Sequence, residues 1–502
     1  MRVKRRDFLG AGAGMALLFA GGARGGAGGY DVIVIGGGTS GIPTALFAAQ
    51  RGARVLVLEK ASALGGTLFW SSGQIAGAGT VFQQRLGIED SPEAHFADCM
   101  RINRNSADPT LTRLTVNHAG ETINWLARHG YEVLAGHPVT GIGHDHFKTR
   151  RYQQGVDNGL SILNAFLPSF QAQVDAGRIE VRLGTEVVDL IQDRQGAVRG
   201  VVSRDPNHVL RDIEGRSIVL ATGGCAANPR LFEELHGVPL YAKTAYPTSM
   251  GAGLMLGLAA GGQIRGGNKY ASLPGLIPAD HQYPTSMHAF APLHPEVRQP
   301  WEILVNARGE RFVQEDHPSV DHIEHGIVAQ PGQRHWAIYD AKMLAQSPPI
   351  IPKWDRERLA TEYLRSPMFT RADNLTSLGL GAQLDPRVLS ATVARYNKDL
   401  AAGNVDQFAR VHRPLPIVEP PFYAIEMQGW TLVSFAGLTV DGQLRVLDRD
   451  QQPIPNLYAL GEVIGAGATS GNAYTNGMLV TPAITFGRIL GQSILPLGSR
   501  VV

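Results

Sequence analysis

A buried strand that runs directly into a glycine-rich turn is the feature that most restricts the fold of this chain. Residues 31–35 (DVIVI) form a run that is wholly apolar after Asp31, which is typical of a parallel strand covered on both faces. The run GGGTSG at 36–41 follows at once. A helical pattern at 42–51 and a second apolar strand at 54–58 come next, and Glu59 ends that strand. This order predicts a βαβ unit and hence an α/β fold.

The glycine spacing of the turn is that of a dinucleotide-binding fingerprint. Gly36 permits a tight turn, Gly38 lets a pyrophosphate approach the backbone, and Gly41 lets the helix pack closely on the strand. The positive end of the helix dipole then stabilises the phosphates. Glu59 can accept hydrogen bonds from a ribose diol, and its carboxylate disfavours a 2′-phosphate. We therefore predict a dinucleotide site here.

Three further glycine segments indicate which dinucleotide binds. A second glycine loop at 63–67 (ALGGT) follows Glu59, and two later strands run into ATGG at 221–224 and GE at 461–462. This set resembles the flavoprotein superfamily in which FAD lies extended across two glycine turns. The resemblance implies that a last helix, at 481–490, directs its N-terminus at the flavin.

Other segments narrow the resemblance to one family. The runs NARGERFVQE at 306–315, ARYN at 394–397 and FYAI at 422–425 occur in the order found there. From about Tyr30 to its C-terminus, the chain is similar to the FAD-dependent fumarate reductase, succinate dehydrogenase and 3-ketosteroid Δ1-dehydrogenase family. The resemblance implies a split, Rossmann-like FAD domain of the glutathione-reductase type, with an inserted α+β capping domain that contacts substrate.

The resemblance and the composition together predict the domain boundaries and the cofactor. We expect the FAD domain at 26–268 and 416–502, and the capping domain at 269–415. FAD is expected to be non-covalent, because no histidine occupies the loop 67–73 where succinate dehydrogenases attach it. The FAD-binding residues that we predict are Gly36, Gly38, Ser40, Gly41, Glu59, Lys60, Gly66, Thr67, Gly73, Val188, Ala221, Thr222, Gly223, Glu462, Leu479 and Val480.

The family chemistry implies a carbonyl substrate. Hydride passes between flavin N5 and a carbon next to an activating carbonyl, and a proton is moved at the neighbouring carbon. The segment Ala473-Tyr474-Thr-Asn-Gly477 resembles the ketosteroid dehydrogenases, in which a tyrosine hydroxyl and a glycine N–H bind the ketone oxygen. The spacing here is one residue shorter. Because two donors at a carbonyl stabilise enolate character, we predict that Tyr474 and Gly477 are catalytic.

The proton-transfer residue departs from the family pattern. Where fumarate reductases have an acid arginine and ketosteroid dehydrogenases a base tyrosine, this chain has Ser319. Serine is a poor acid or base at its ordinary pKa, so the proton must be relayed or handled by another group. We predict His317, or a relay through Ser319, for this role; His322, Tyr152 and Tyr246 are alternatives.

Further departures bear on the substrate. A family histidine that helps to hold dicarboxylates is replaced by the apolar pair Leu432 and Val433, and the gripping arginine has no counterpart in 471–477. A desolvated dicarboxylate needs charged, preferably bidentate donors. We therefore expect dehydrogenation of a cyclic or steroid-like ketone. The alternatives are an exported fumarate-reductase-like ene-reductase of an unsaturated acid, and a non-catalytic flavin electron-transfer module.

Composition excludes several other classes of protein. The chain has 46 Lys+Arg against 44 Asp+Glu, without the basic excess of a nucleic-acid-binding protein, and its 2 cysteines exclude a disulfide scaffold. His144 and His146 form a His-x-His pair that we interpret as a polar loop, so we predict no metal. Arg298 and Arg311 lie beside glutamates, and we expect them to form structural ion pairs.

The first 25 residues resemble a twin-arginine export signal. Arg5-Arg6 is followed by Asp7-Phe8-Leu9, and the weakly apolar stretch at 10–23 is too short to span a bilayer. We therefore predict that residues 1–25 are a signal, that the twin-arginine machinery is a partner, and that the protein is periplasmic without a stable membrane span. The electron acceptor or donor is not specified by the sequence.

Replacing both signal arginines tests the export prediction. In the double variant Arg5→Lys, Arg6→Lys, the protein should accumulate in the cytoplasm, because the export receptor reads the arginine pair as an address. Fractionation and immunoblotting measure this, and unchanged export of the double variant would contradict the prediction.

Overall fold

The computed structural model describes residues 29–495, so the predicted signal at 1–25 lies outside the described residues. Within this range the chain forms two large sheets and several covering helices. The strands, numbered in chain order, are β1 (Tyr30–Ile35), β2 (Val55–Leu58), β3 (Gln74–Ala76), β4 (Tyr152–Gln154), β5 (Ile179–Arg182), β6 (Glu186–Gln192), β7 (Val198–Arg204), β8 (Leu210–Leu220), β9 (Ile264–Arg265), β10 (Leu273–Pro278), β11 (Met287–Phe290), β12 (Ile303–Asn306), β13 (Arg334–Asp340), β14 (Phe369–Ala372), β15 (Phe422–Trp430), β16 (Gly437–Leu438), β17 (Arg445–Leu447) and β18 (Pro453–Ala459).

The first sheet confirms the predicted α/β fold. Its order is β17-β18-β8-β1-β2-β5, and β6 and β7 extend it as an antiparallel meander from β8. The strand β1 pairs in parallel with β2 on one side and β8 on the other. Its residues 32–35 are buried because helices and loops cover both faces of the sheet, which explains the unbroken apolar run.

The first helix, Gly41–Gln50, and the last helix, Val480–Ser493, pack side by side against this sheet. Glycines permit the close approach. A Cβ on Gly487 would lie 2.5 Å from the backbone oxygen of Ser40, and one on Gly41 would lie 1.9 Å from that of Gly36. The other α-helices are Val81–Gln84, Pro92–Ile102, Pro109–Arg128, Gly159–Asp175, Pro229–His236, Ala252–Ala259, Val320–Val328, Ala341–Gln346, Arg356–Arg365, Leu375–Gly381, Pro386–Ala401 and Gly467–Ser470.

The second sheet belongs to the capping region and has its own apolar core. Its order is β11-β10-β15-β13-β12, with β14 also paired to β15. The predicted boundary at residue 416 precedes β15, which pairs with β10, β13 and β14 and with no strand of the first sheet. Along the chain this strand lies between the capping region and the last strands of the first sheet. In space it belongs to the capping sheet.

Buried ion pairs stiffen the capping region. Arg298 forms two hydrogen bonds of 2.9 Å with Glu302. Arg311 lies 2.6 Å from Glu315 and 2.7 Å from Asp406. Both arginines therefore form ion pairs, as the sequence predicted. Because each guanidinium is bound to its carboxylate partners, neither is free to hold a substrate. No helix in the described part of the chain is long and apolar enough to cross a membrane.

Candidate active site

One cavity of about 650 Å³ lies where the first sheet meets the capping region. The parallel strands β1, β8 and β18 end at this cavity, and the segments after them, beginning at Gly36, Ala221 and Gly461, line it. Ligands of open α/β sheets bind at the carboxyl ends of the strands. The capping side is formed by residues such as Leu273 and Trp430.

The two glycine loops meet at one end of the cavity. A Cβ on Gly66 would lie 3.0 Å from the Cα of Gly38, so the two backbones almost touch. The hydroxyls of Thr39 and Thr67 are 2.9 Å apart and join the loops. Gly36 has a φ of +101°, and a Cβ there would lie 2.4 Å from the backbone oxygen of Ala221. Only glycine fits at position 36, and the cradle has the shape that a dinucleotide pyrophosphate needs.

Glu59 lies beside this cradle and orders the chain around it. Its Oε2 accepts a hydrogen bond of 2.7 Å from the N–H of Gly37, and its Oε1 accepts one of 2.7 Å from Ala61. Each carboxylate oxygen has a second lone pair for a ligand hydroxyl. Since Glu59 also lines the cavity, its position suits the ribose diol of FAD.

The last helix supplies the far end of the cradle. Leu479 and Val480, at its N-terminus, line the cavity, so the positive end of the helix dipole faces the ligand space. Glu462 lies nearby and is half-buried, and desolvation raises the pKa of its carboxyl. The N–H of Ser434 donates a 2.9 Å hydrogen bond to that carboxyl. The donors, the glycine cradle and the helix N-terminus together fit FAD.

Most of the predicted FAD-binding residues line this cavity. Three do not. The Gly41 backbone packs on Gly36, and a Cβ on Gly73 would lie 2.4 Å from the backbone of Asn158, so both glycines serve chain packing. Val187 lines the cavity instead of Val188, because successive residues of β6 face opposite sides. The lining residues of the predicted set are Gly36, Gly38, Ser40, Glu59, Lys60, Gly66, Thr67, Ala221, Thr222, Gly223, Glu462, Leu479 and Val480.

Tyr474 and Gly477 also line the cavity. The hydroxyl of Tyr474 forms a 2.6 Å hydrogen bond with Oγ1 of Thr431, in which either oxygen can donate. Burial raises the pKa of Tyr474 well above its ordinary value, so the phenol is neutral and can donate a hydrogen bond. Gly477 has a φ of +78°, and a Cβ there would lie 2.6 Å from the backbone nitrogen of Ala76.

The residues predicted for proton transfer lie elsewhere. Ser319 and His317 are not among the residues that line the cavity. Ser319 precedes the helix Val320–Val328, and its N–H donates a 3.0 Å hydrogen bond to Nδ1 of His317. The ring of His317 stacks on His322 with centroids 4.2 Å apart. Position along the chain suggested these residues, but the turn before the helix directs them into contacts with each other.

Of the two tyrosines named as alternatives, one lines the cavity and the other does not. Tyr152 is buried in a small apolar cluster with Phe147 and Met478 and is not a lining residue. Tyr246 lines the cavity, and its ring packs edge-on against Trp70 at 5.9 Å.

A functional candidate that the sequence analysis interpreted only as part of a polar loop is His144. Its ring lines the cavity, and its centroid lies 5.3 Å from that of Tyr474. Its Nδ1 lies 3.0 Å from Oε1 of Glu324, whereas His146 pairs with Glu296. The two histidines thus point to different partners. No sequence signal could have joined residue 144 to residue 324, because only the tertiary fold brings the loop to the capping helix.

Two glycine substitutions separate cofactor binding from chain packing. Gly38→Ala should leave the stability of the FAD-free protein unchanged, since the added Cβ meets its nearest atom at 3.7 Å, yet it should reduce the FAD content by blocking the pyrophosphate. Gly41→Ala should lower the free energy of unfolding by about 1–3 kcal/mol through overpacking. Thermal unfolding and flavin absorbance measure both effects. Full FAD content in Gly38→Ala would contradict the placement of the pyrophosphate.

Comparison with known proteins places this geometry in a family. A sequence profile described as "FAD binding domain" matches residues 31–476. The chain is 27% identical to a fumarate reductase (cytochrome) from Shewanella frigidimarina, over 92% of this chain and 76% of that protein. It is 24% identical to a 3-oxosteroid 1-dehydrogenase from Mycobacterium tuberculosis, over 93% of this chain and 98% of that protein.

A solved structure shares the fold. The 3-ketosteroid Δ1-dehydrogenase from Sterolibacterium denitrificans, in complex with 1,4-androstadiene-3,17-dione, superposes with a TM-score of 0.72 at 19% identity, over 93% of this chain and 99% of that one. The chain therefore belongs to the FAD binding domain family, and it is an FAD-dependent oxidoreductase of the group that contains the fumarate reductases and the ketosteroid dehydrogenases.

Proposed function

We propose that the protein dehydrogenates a neutral, largely apolar ketone at the carbon–carbon bond next to its carbonyl. The observation that carries this proposal is the placement of the Tyr474 hydroxyl, a fixed neutral donor, in a cavity lined by no arginine among the described residues. A neutral donor suits a ketone oxygen, whereas a carboxylate needs a charged one.

The capping side of the cavity supports an apolar substrate. Leu273, Met287, Trp430, Leu432 and Val433 contribute to its lining. Burial of apolar substrate surface against such side chains contributes about 25 cal/mol per Å², so a ring system gains binding energy here. Leu432 and Val433 stand where the family places a histidine, and their apolar surface favours a hydrocarbon skeleton over a polar acid.

The charges that line the cavity lie away from this apolar part. Lys60 donates a 2.6 Å hydrogen bond to Glu186, and both residues lie at the end of the cavity that Glu59 marks. Lys60 is therefore committed to an ion pair near the expected ribose. Apart from Glu462, whose carboxyl accepts a hydrogen bond from Ser434, the remaining titratable base among the lining residues is His144, which burial keeps neutral by lowering the pKa of its ring.

The residues of the chain perform three tasks in such a reaction. Bound FAD supplies the acceptor for a hydride. Tyr474 donates a hydrogen bond to the ketone oxygen and so acidifies the α-hydrogen, and Thr431 holds the phenol in place. Removal of one such donor costs about 10²–10³ in rate in well-studied enzymes. A ketone bound against the apolar capping side would displace water there, which would strengthen this hydrogen bond.

A second candidate is an ene-reductase of an unsaturated acid. The identity to a fumarate reductase over most of this chain favours it. It would need cationic donors at the substrate, and the lining residues do not offer an arginine for that task. A non-catalytic electron-transfer role is the third candidate, and export of the protein to the periplasm stays a prediction from residues 1–25.

Anaerobic mixing with a panel of substrates distinguishes these candidates. We expect saturated cyclic ketones to bleach the visible absorbance band of the flavin, because they deliver a hydride to it. If only dithionite bleaches the band and unsaturated acids restore it, the dehydrogenase proposal fails in favour of the ene-reductase. If neither class exchanges electrons, the electron-transfer role is supported.

Tyr474→Phe tests the carbonyl donor. The rate of bleaching by a ketone should fall about tenfold or more, while the FAD content stays unchanged. Tyr152→Phe is the matched control, since Tyr152 is also buried but does not line the cavity. An unaffected rate in Tyr474→Phe would remove Tyr474 from the site.

A further inference from the structure

A buried carboxyl pair stands directly behind the histidine that lines the cavity. Asp321 and Glu324 are one turn apart on the helix Val320–Val328, and each is only 1% exposed. The donor atoms of these two residues and of His144 all lie within 4.8 Å of one another. Beyond the contact of His144 with Glu324, the four carboxyl oxygens have no hydrogen-bond partner among the described residues.

We propose that His144 exchanges the substrate proton, that Glu324 positions its ring, and that Asp321 and Glu324 share a proton behind it. This inference rests on the proposed ketone chemistry and supplies the acid/base group that Ser319 cannot provide. The three residues form a line from the cavity into the capping helix: the imidazole faces the substrate space, and the carboxyl pair faces the imidazole.

The geometry assigns each ring nitrogen a task. Glu324 lies 3.0 Å from Nδ1 of His144, so Nε2 is the nitrogen left for the cavity. An acidic partner at Nδ1 fixes the tautomer and the orientation of a catalytic imidazole. Because the ring lies 5.3 Å from that of Tyr474, a ketone oxygen held by the Tyr474 hydroxyl brings its α-carbon to the neighbourhood of the imidazole.

Asn476 holds the loop that carries His144. Its Oδ1 accepts a 3.2 Å hydrogen bond from the N–H of Ile142, and its Nδ2 donates a 3.1 Å hydrogen bond to the backbone oxygen of Asp145. Asn476 lies between Tyr474 and Gly477, so one segment places both the carbonyl donor and the loop of the base. The loop of the imidazole and the tyrosine are therefore connected through Asn476.

The electrostatics of the pair favour a protonated carboxyl. Burial, followed by the repulsion from Glu324, raises the pKa of Asp321 to about 9. Burial raises the pKa of Glu324 to about 8. At pH 7 both shifts favour at least one proton on the pair, and burial lowers the pKa of His144, so its ring is neutral and can act as a base. The other titratable groups that act on His144 or lie against it are Asp145, Glu296, His294 and Tyr474.

The proposed step is balanced in atoms and electrons. A C–H bond at the α-carbon breaks, and its proton forms a bond with Nε2 of His144. The bonding pair becomes the new carbon–carbon double bond as a hydride leaves the β-carbon for the bound FAD. The ketone is thus oxidised by two electrons and the flavin is reduced. The positive charge on His144 is stabilised by Glu324, whose shared proton moves toward Asp321 as the carboxylate forms.

Substitution of His144 in the FAD-loaded protein tests the base. With a ketone that bleaches the wild-type flavin, His144→Gln should slow bleaching by about 10²–10⁴-fold at unchanged FAD content. His146→Gln is the matched control and should bleach at the wild-type rate. Bleaching of His144→Gln at the wild-type rate would overturn the proposal, whereas failure of the wild type to bleach with any ketone would instead count against the proposed function.

Exchange of the α-hydrogen in heavy water isolates the proton step from the redox step. NMR of a ketone mixed with FAD-loaded protein should show α-hydrogen exchange that His144→Gln abolishes and His146→Gln retains. Glu324→Gln should lower the exchange rate about tenfold or more without weakening ketone binding, because it loosens the imidazole and does not touch the substrate. If Glu324→Gln instead weakened ketone binding and left the exchange rate of bound ketone unchanged, Glu324 would be merely structural.

Infrared spectroscopy tests the shared proton without any activity measurement. At pH 7 the wild type should show the carbonyl band of a buried protonated carboxyl, and this band should be lost or reduced in the double variant Asp321→Asn, Glu324→Gln. Absence of the band from the wild type would overturn the shared proton, even if the variants failed to fold. A stoichiometric divalent cation that elemental analysis finds in the wild type and not in Asp321→Asn would also overturn it, since a cation would then replace the proton.

Discussion

Close approach of backbones at the glycine turns is the constraint on which the rest of this structure depends. Gly36 must adopt a positive φ beneath Ala221, and Gly38 must lie against Gly66, or the strand ends cannot form one cradle. The same requirement holds between the first and last helices, where a Cβ on Gly487 would lie 2.5 Å from the backbone of Ser40. These contacts bring both helix N-termini to the cavity, so the fold and the cofactor site form together.

The candidate active site is formed by the FAD domain and the capping region together. The first sheet supplies the cradle, but the apolar wall at Leu273 and Trp430 and the helix with Asp321 and Glu324 come from the capping side. The loop with His144 lies between the two and is held by Asn476. Cofactor binding and, in our proposal, proton transfer are thus divided between structural units that meet at one cavity.

The sequence predicted the parts of this structure that depend on interactions between residues close together in the chain. A strand buried on both faces has an apolar run, and a turn against a phosphate needs glycine, so β1, the first helix and the cradle follow from residues 31–41. The proton-transfer site did not follow, because it depends on contacts between distant segments. Ser319 and His317 occupied the expected position along the chain, yet the turn before the capping helix points them at each other. The base of our proposal, His144, was interpreted from the sequence as part of a polar loop, because only the fold places Glu324 beside it.

The isotope dependence of flavin bleaching tests the central claim most directly. A ketone deuterated at the β-carbon and, separately, at the α-carbon would be mixed anaerobically with the FAD-loaded protein. We expect both labels to slow bleaching several-fold, because the hydride leaves one carbon and the proton leaves the other. Bleaching that responds to neither label, or an absence of bleaching by any ketone, would contradict dehydrogenation next to the carbonyl.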